Sequence, residues 1–161
     1  MKTDVISHPF DPVFDENSKI LVLGSFPSVK SREVNFFYGH PQNRFWKVVS
    51  SVMGKECPAT VDEKKAFLLQ NGIAVWDVIK SCDIEGSSDS SIKNVTPNDI
   101  SEIFAKSQVR QIFTNGNTAH KLFKKYNPQY NAIKLPSTSP ANASFSVEKL
   151  VVEWRILKDF T

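Results

Sequence analysis

The segment that most constrains the fold is Ile20-Leu21-Val22-Leu23, which runs straight into Gly24-Ser25-Phe26-Pro27-Ser28. A short apolar run bounded by turn residues is the pattern of a strand buried on both faces. Gly24 permits a sharp change of direction, and Pro27 has no N–H to give a ladder, so the chain must leave the sheet there. Strands of that kind belong to parallel sheets with helices on both sides. The loops at the carboxyl ends of such strands are where these folds build ligand sites.

The strand is expected over residues 19–25, with similar runs at 73–79, 111–115 and 132–135. Helical patterns lie between them. Residues 44–53 place Phe45, Val48, Val49 and Val52 on one face. Residues 62–70 follow a capping Thr60, and 98–106 follow Thr96-Pro97, where Thr suits a cap and Pro the first turn. Residues 118–126 alternate apolar and basic side chains at helical spacing, and 146–160 carry a stripe of Leu150, Val151, Trp154 and Leu157. Alternation of strand and helix predicts an α/β fold, a three-layer α/β/α sandwich with a short central parallel sheet. One domain over residues 1–161 is expected. Residues 82–94, centred on Gly86-Ser87-Ser88-Asp89-Ser90-Ser91, read as a mobile surface loop, with a place near a ligand as the alternative.

Hydrophobic residues make up 40% of the chain and the formal net charge is +3, which permits a polyanionic partner without demanding one. No apolar run is long enough for a membrane span, and residues 1–9 lack the pattern of a secretory signal, so a cytoplasmic, monomeric protein is expected. The cysteines, Cys57 and Cys82, and the histidines, His8, His40 and His120, show no metal-ligand spacing. No metal site is expected, and the cysteines read as reduced thiols. Glycine-rich phosphate loops are absent from the sequence.

A second segment, Tyr38-Gly39-His40-Pro41-Gln42-Asn43-Arg44-Phe45-Trp46, sets amides, an imidazole and a guanidinium beside aromatic rings. That mixture suits a planar polar ligand such as a nucleobase. The strand ends are polar as well. They run through Asp77 and Ser81, through Thr114-Asn115-Gly116-Asn117, and through Leu135-Pro136-Ser137-Thr138-Ser139-Pro140-Ala141-Asn142. In a parallel sheet these ends share one edge.

These motifs resemble the uracil-DNA glycosylase superfamily, and more narrowly its hypoxanthine-DNA (deoxyinosine) glycosylase branch. Leu23 to Ser28 occupies the place of the superfamily's water-activating loop. Gly39 to Trp46 is similar to the Asn-Arg-Phe-Trp stretch of this branch, and Leu135 to Asn142 resembles the DNA-intercalating loop. The chain departs from the pattern at two positions. Phe26 stands where many members place a water-holding Asp or Asn, and Leu135 where many carry a His for the leaving base. The resemblance implies a monofunctional glycosylase that excises deaminated bases, chiefly hypoxanthine and also uracil, in base excision repair. Its partner would be double- or single-stranded DNA, it would act at the nucleoid, and it would need no cofactor.

The resemblance makes Asn43 the catalytic residue, placing water through an amide oxygen that accepts and an NH2 that donates. On position alone Asn43 also suits the cap of the helix that follows. Gly24, Ser25, Phe26, Phe37, Tyr38, His40 and Asn115 are expected against the base. Phe36 is a further aromatic able to stack, and Asn117 an alternative to Asn115. Ser28, Arg44, Ser137, Thr138, Ser139 and Asn142 are expected on DNA, with Lys30 and Arg32 adding positive charge. A non-catalytic nucleic-acid-binding module of the same fold is the alternative function, and a hydrolase of free nucleosides or small amides is the third.

Overall fold

In the computed structural model, which describes residues 4–161, the run Ile20–Gly24 is a strand buried along its whole length. In chain order the elements are β1 (Asp4–Ser7), β2 (Ile20–Gly24), α1 (Val29–Val34), α2 (Phe45–Met53), α3 (Val61–Gln70), β3 (Ile73–Asp77), β4 (Ile79–Ile84), β5 (Lys93–Pro97), α4 (Ser101–Lys106), β6 (Gln111–Asn115), α5 (Asn117–Tyr126), β7 (Ala132–Leu135) and α6 (Val147–Trp154). Short 3₁₀ turns cover Asp89–Ser91 and Arg155–Asp159. The central sheet has the order β3-β2-β6-β7, and every pairing in it is parallel.

Alternate residues of β2 supply both helical layers. Ile20 and Val22 pack with Phe45, Val48 and Val49 of α2, Phe67 and Leu68 of α3, and Leu150 and Trp154 of α6. Leu21 and Leu23 pack with Ile103 of α4 and Phe123 of α5. Each such side chain contributes about 1.5–3 kcal/mol when fully buried, so this one strand anchors both faces. The three-layer arrangement is the expected one.

Three expectations are corrected. Residues 82–94 are not a free surface loop. β4 follows β3 after Val78 and pairs antiparallel with β1 and β5, forming a second, three-stranded sheet. Ile79, Cys82 and Ile84 of β4 form a small core with Phe26. The turn beyond β4 is tied to α1, because Ser87 Oγ accepts from Val29 N and Arg32 Nη2 donates to Gly86 O. Next, Thr96-Pro97 ends β5 rather than opening a helix. The Asn98 side chain donates to the carbonyls of Asp77 and Ile79, and α4 begins only at Ser101. Last, the helix expected through residue 160 tightens to a 3₁₀ turn after Trp154. A short helix the sequence did not announce, α1, is capped by Ser28, whose Oγ accepts from Ser31 N. Cys57 is exposed and Cys82 buried, and both are free thiols.

Candidate active site

The carboxyl ends of β2, β3 and β6 open into a cavity of about 520 Å³. Its walls are the loop after β2, the Phe37–Asn43 segment, Asn115, the loop after β7 and the Ser87–Asp89 turn. That size suits a small-molecule site.

Thr138 organises one wall. It is completely buried. Its N–H donates to Asn115 Oδ1 at 3.0 Å, and its Oγ1 accepts from Asn115 Nδ2 at 3.0 Å. The same hydroxyl donates to Asn43 Oδ1 at 2.9 Å. Asn43 Oδ1 also accepts from the backbone N–H of Phe45 at 2.9 Å. A backbone N–H can only donate, so these two bonds fix the amide with its oxygen inward. The NH2 is then the end of Asn43 open to the cavity. The helix-capping and site readings of Asn43 therefore coexist, but an oxygen free to hold water is not available.

Arg44 secures the loop after β7. Its guanidinium donates to the carbonyls of Phe145, Ser139, Asn142 and Thr138. Asn142 closes the same loop by donating from Nδ2 to Ser137 O. Trp154 of α6 donates from Nε1 to Pro136 O at 2.9 Å.

The floor of the cavity holds a buried pair. His8 Nε2 donates to Asp77 Oδ2 at 2.7 Å, with the two side chains 4% and 5% exposed. His8 Nδ1 has no partner among the described residues. Gly24 is Asp77's register partner on β2. Tyr38 is held at φ 52°, a left-handed conformation that costs a non-glycine residue about 1–3 kcal/mol. Its ring stacks on Phe45, with centroids 4.0 Å apart. Its Oη is buried, and the Asn115 amide approaches it without completing a hydrogen bond. Burial, reinforced by the negative charge of Asp77, pushes the Tyr38 phenol well above its ordinary pKa, so it stays protonated. At the mouth, Asp89 is exposed as a residue but turns its carboxylate to Ser25 Oγ at 3.3 Å, and desolvation there raises its pKa.

The structure brings most of the expected site residues together and redirects several. Gly24, Ser25, Phe26, Phe37, Tyr38, His40, Asn43 and Asn115 all line the cavity, as do Ser28, Ser137, Thr138 and Ser139. His40 Nδ1 accepts from Gln42 N, leaving Nε2 as the protonated nitrogen. Phe37 is nearly all core, edge-on to Phe10 at 4.7 Å. Phe36 stacks on Trp46 and is absent from the lining, as is Asn117. Thr138, Arg44 and Asn142, expected on DNA, each turn polar groups onto the protein itself as described above. Ser28 likewise commits its hydroxyl to Ser31, to which it donates at 3.1 Å. Lys30 pairs with Glu33 at the surface and Arg32 holds the Gly86 turn.

Residues 12–161 match the family profile of the uracil DNA glycosylase superfamily, and the chain belongs to that superfamily. Among curated relatives, a hypoxanthine DNA glycosylase of Methanosarcina acetivorans is 39% identical over 151 residues, 88% of this chain and 92% of its own length. One of the same name from Methanosarcina barkeri is 39% identical over 93 residues, 57% of this chain and 59% of its own. Among solved structures, the solution NMR structure of a candidate uracil DNA glycosylase from Methanosarcina acetivorans superposes with a TM-score of 0.75 at 35% identity. It spans 92% of this chain and 96% of its own.

Sequence reasoning missed His8 and the importance of Asp77, and it held the Ser87–Asp89 wall only as the alternative to a free surface loop. His8 and Asp77 lie 69 residues apart, and neither sits in a motif. Asp77 did carry one signal, a charged residue ending an otherwise apolar strand.

Proposed function

We propose that this single-domain chain is a monofunctional DNA glycosylase acting on deaminated bases, chiefly hypoxanthine. The carrying observation is the cavity at the strand ends, walled by the fixed amides of Asn43 and Asn115. Its volume of about 520 Å³ accommodates an extruded base with part of its sugar.

Hydrolysis of the N-glycosidic bond builds positive charge on the sugar and negative charge on the departing base. Asn43 serves as a donor: its NH2 meets charge developing on the base, and the bonds from Thr138 and Phe45 hold it without reorganisation. Asn115 is fixed by the same Thr138 hydroxyl, and its second Nδ2 N–H lies toward Tyr38 Oη. The Asp89 carboxylate is the acceptor that the mouth offers to the attacking water. Ser137 and Ser139 each accept a backbone N–H, keeping the O–H to give to a phosphate oxygen. The substrate is DNA in either strand form, the enzyme works as a monomer on the cytoplasmic nucleoid, and no metal takes part. Among the described residues no helix is long and apolar enough to cross a membrane.

The test uses oligonucleotides carrying one deoxyinosine, deoxyuridine or deoxyxanthosine, with alkali to break any abasic site. Wild type is run beside Asn43→Ala. Cleavage at deoxyinosine that collapses in the variant is expected. Cleavage that survives the substitution returns Asn43 to helix capping, and no cleavage of any substrate by folded protein favours a binding module.

A further inference from the structure

Two polar groups in the cavity floor have no part in the chemistry proposed above. Asp77 Oδ2 is bound by His8, so Oδ1 is the oxygen left for the cavity. Tyr38 Oη lies buried with no partner among the described residues. A Cβ built on Gly24 would fall 2.5 Å from Asp77 Oδ1 and 3.2 Å from Tyr38 Oη. One point above Gly24 is therefore within reach of both an acceptor and a donor, and the missing side chain of Gly24 keeps it open.

A flipped nucleotide enters with its sugar outermost. In a purine the edge farthest from the glycosidic nitrogen is N1 with C6, so that edge meets the floor. Hypoxanthine presents N1–H beside a C6 carbonyl, a donor next to an acceptor. Adenine presents a bare N1 lone pair at the same place. We infer that Asp77 is the specificity-determining residue: its Oδ1 accepts the N1–H of hypoxanthine, Tyr38 Oη donates to O6, and the same carboxylate repels the N1 lone pair of adenine. This rests on the glycosylase function proposed above. His8 is a positioning residue, holding one carboxylate oxygen so that the other faces the base.

The arrangement makes Asp77→Asn more than a loss of charge. The His8 Nε2–H claims the new amide oxygen, and the NH2 turns into the cavity. An acceptor becomes a donor, facing N1–H with N–H. Purine deoxynucleoside, which has a lone pair at N1 and no O6, is the matching probe.

Binding and cleavage are measured separately, on duplexes carrying deoxyinosine or purine deoxynucleoside. For binding, a 2′-fluorine on the target sugar disfavours positive charge there and slows loss of the base. Wild type is expected to favour deoxyinosine by on the order of 10- to 100-fold, the range for a hydrogen bond to a charged group. Asp77→Asn is expected to erase or invert that preference. Adding His8→Phe frees the amide to flip and restores part of it, which a merely structural His8 would not do. Equal losses on both bases, an unchanged preference, or no recovery in the double variant overturns the inference. If Asp77→Asn does not fold, Tyr38→Phe takes its place: deoxyinosine binding must fall while purine binding holds, and equal effects refute the pairing. Cleavage without base preference defeats only the role of Asp77. Base preference without cleavage defeats only the glycosylase function.

Discussion

Thr138→Val is the sharpest probe of the wall that holds Asn43. Valine matches threonine in shape and removes only the hydroxyl. Two hydrogen bonds go with it, one from Asn115 Nδ2 and one to Asn43 Oδ1, at a fully buried position. Each is worth about 0.5–1.5 kcal/mol net. Asn43 Oδ1 keeps the Phe45 N–H and Asn115 Nδ2 borders the cavity, so neither group is stranded. The sum is therefore about 2 kcal/mol, which for a domain of this size lowers Tm by about 4–8 °C. Urea unfolding measures the stability, and single-turnover cleavage of a deoxyinosine duplex at 25 °C measures the chemistry. At that temperature the variant remains folded, so a fall in rate of about tenfold or more reports a loosened Asn43 amide. Thr138→Ser keeps the hydroxyl and should retain most of the rate. Stability within about 0.5 kcal/mol of wild type, or a valine variant as fast as the serine variant, would refute the account of Thr138 as the hub of the wall.

Other outcomes follow from the same geometry. Gly24→Ala puts a methyl within 2.5 Å of Asp77 Oδ1, and deoxyinosine cleavage should fall by about 100-fold while urea stability changes by no more than about 1–3 kcal/mol. Thr60→Ala removes the cap that receives Glu63 N at the start of α3. It should lose about 0.5–2 kcal/mol in urea unfolding and leave the cleavage rate alone. Asp89→Asn should gain stability at neutral pH and lose cleavage. Burial raises the Asp89 pKa in the folded state, so its contribution to stability is present in acid and lost as pH rises through that raised value. Denaturation at neutral and acid pH should therefore show the variant's advantage only above the ordinary carboxylate range.

The central sheet was legible because its strands are buried on both faces and so are written as unbroken apolar runs; Ile20–Gly24 is the clearest. The second sheet was not. β4 and β5 contribute Lys80, Ser81, Asp83, Lys93, Asn94 and Thr96, and register shifts in their pairing break the period of two, so Ile79, Cys82 and Ile84, which pack with Phe26, do not read as one face of a strand. The walls of the site were read from motifs, and the cavity draws on those motifs. What motifs could not convey was direction. Arg44 is as basic in sequence as any phosphate grip, yet it is turned onto main-chain carbonyls. Asn43 offers both ends of an amide on paper, and only the Phe45 N–H and the Thr138 hydroxyl decide which end is spent. The His8–Asp77 pair joins residues 69 positions apart, and no local rule reaches across that separation.

The anchorage of the last loop bears on how this protein is made. Thr138 cannot lock Asn43 until its loop is seated, and the loop is pinned from behind by Trp154, a fully buried residue whose indole holds Pro136. During synthesis both asparagines of the wall leave the ribosome long before that tryptophan does. A nascent chain can carry every side chain that would touch a base and still lack the means to aim them. Competence then waits on the arrival of Trp154, because the amide of Asn43 is aimed only after the loop that Trp154 pins is in place.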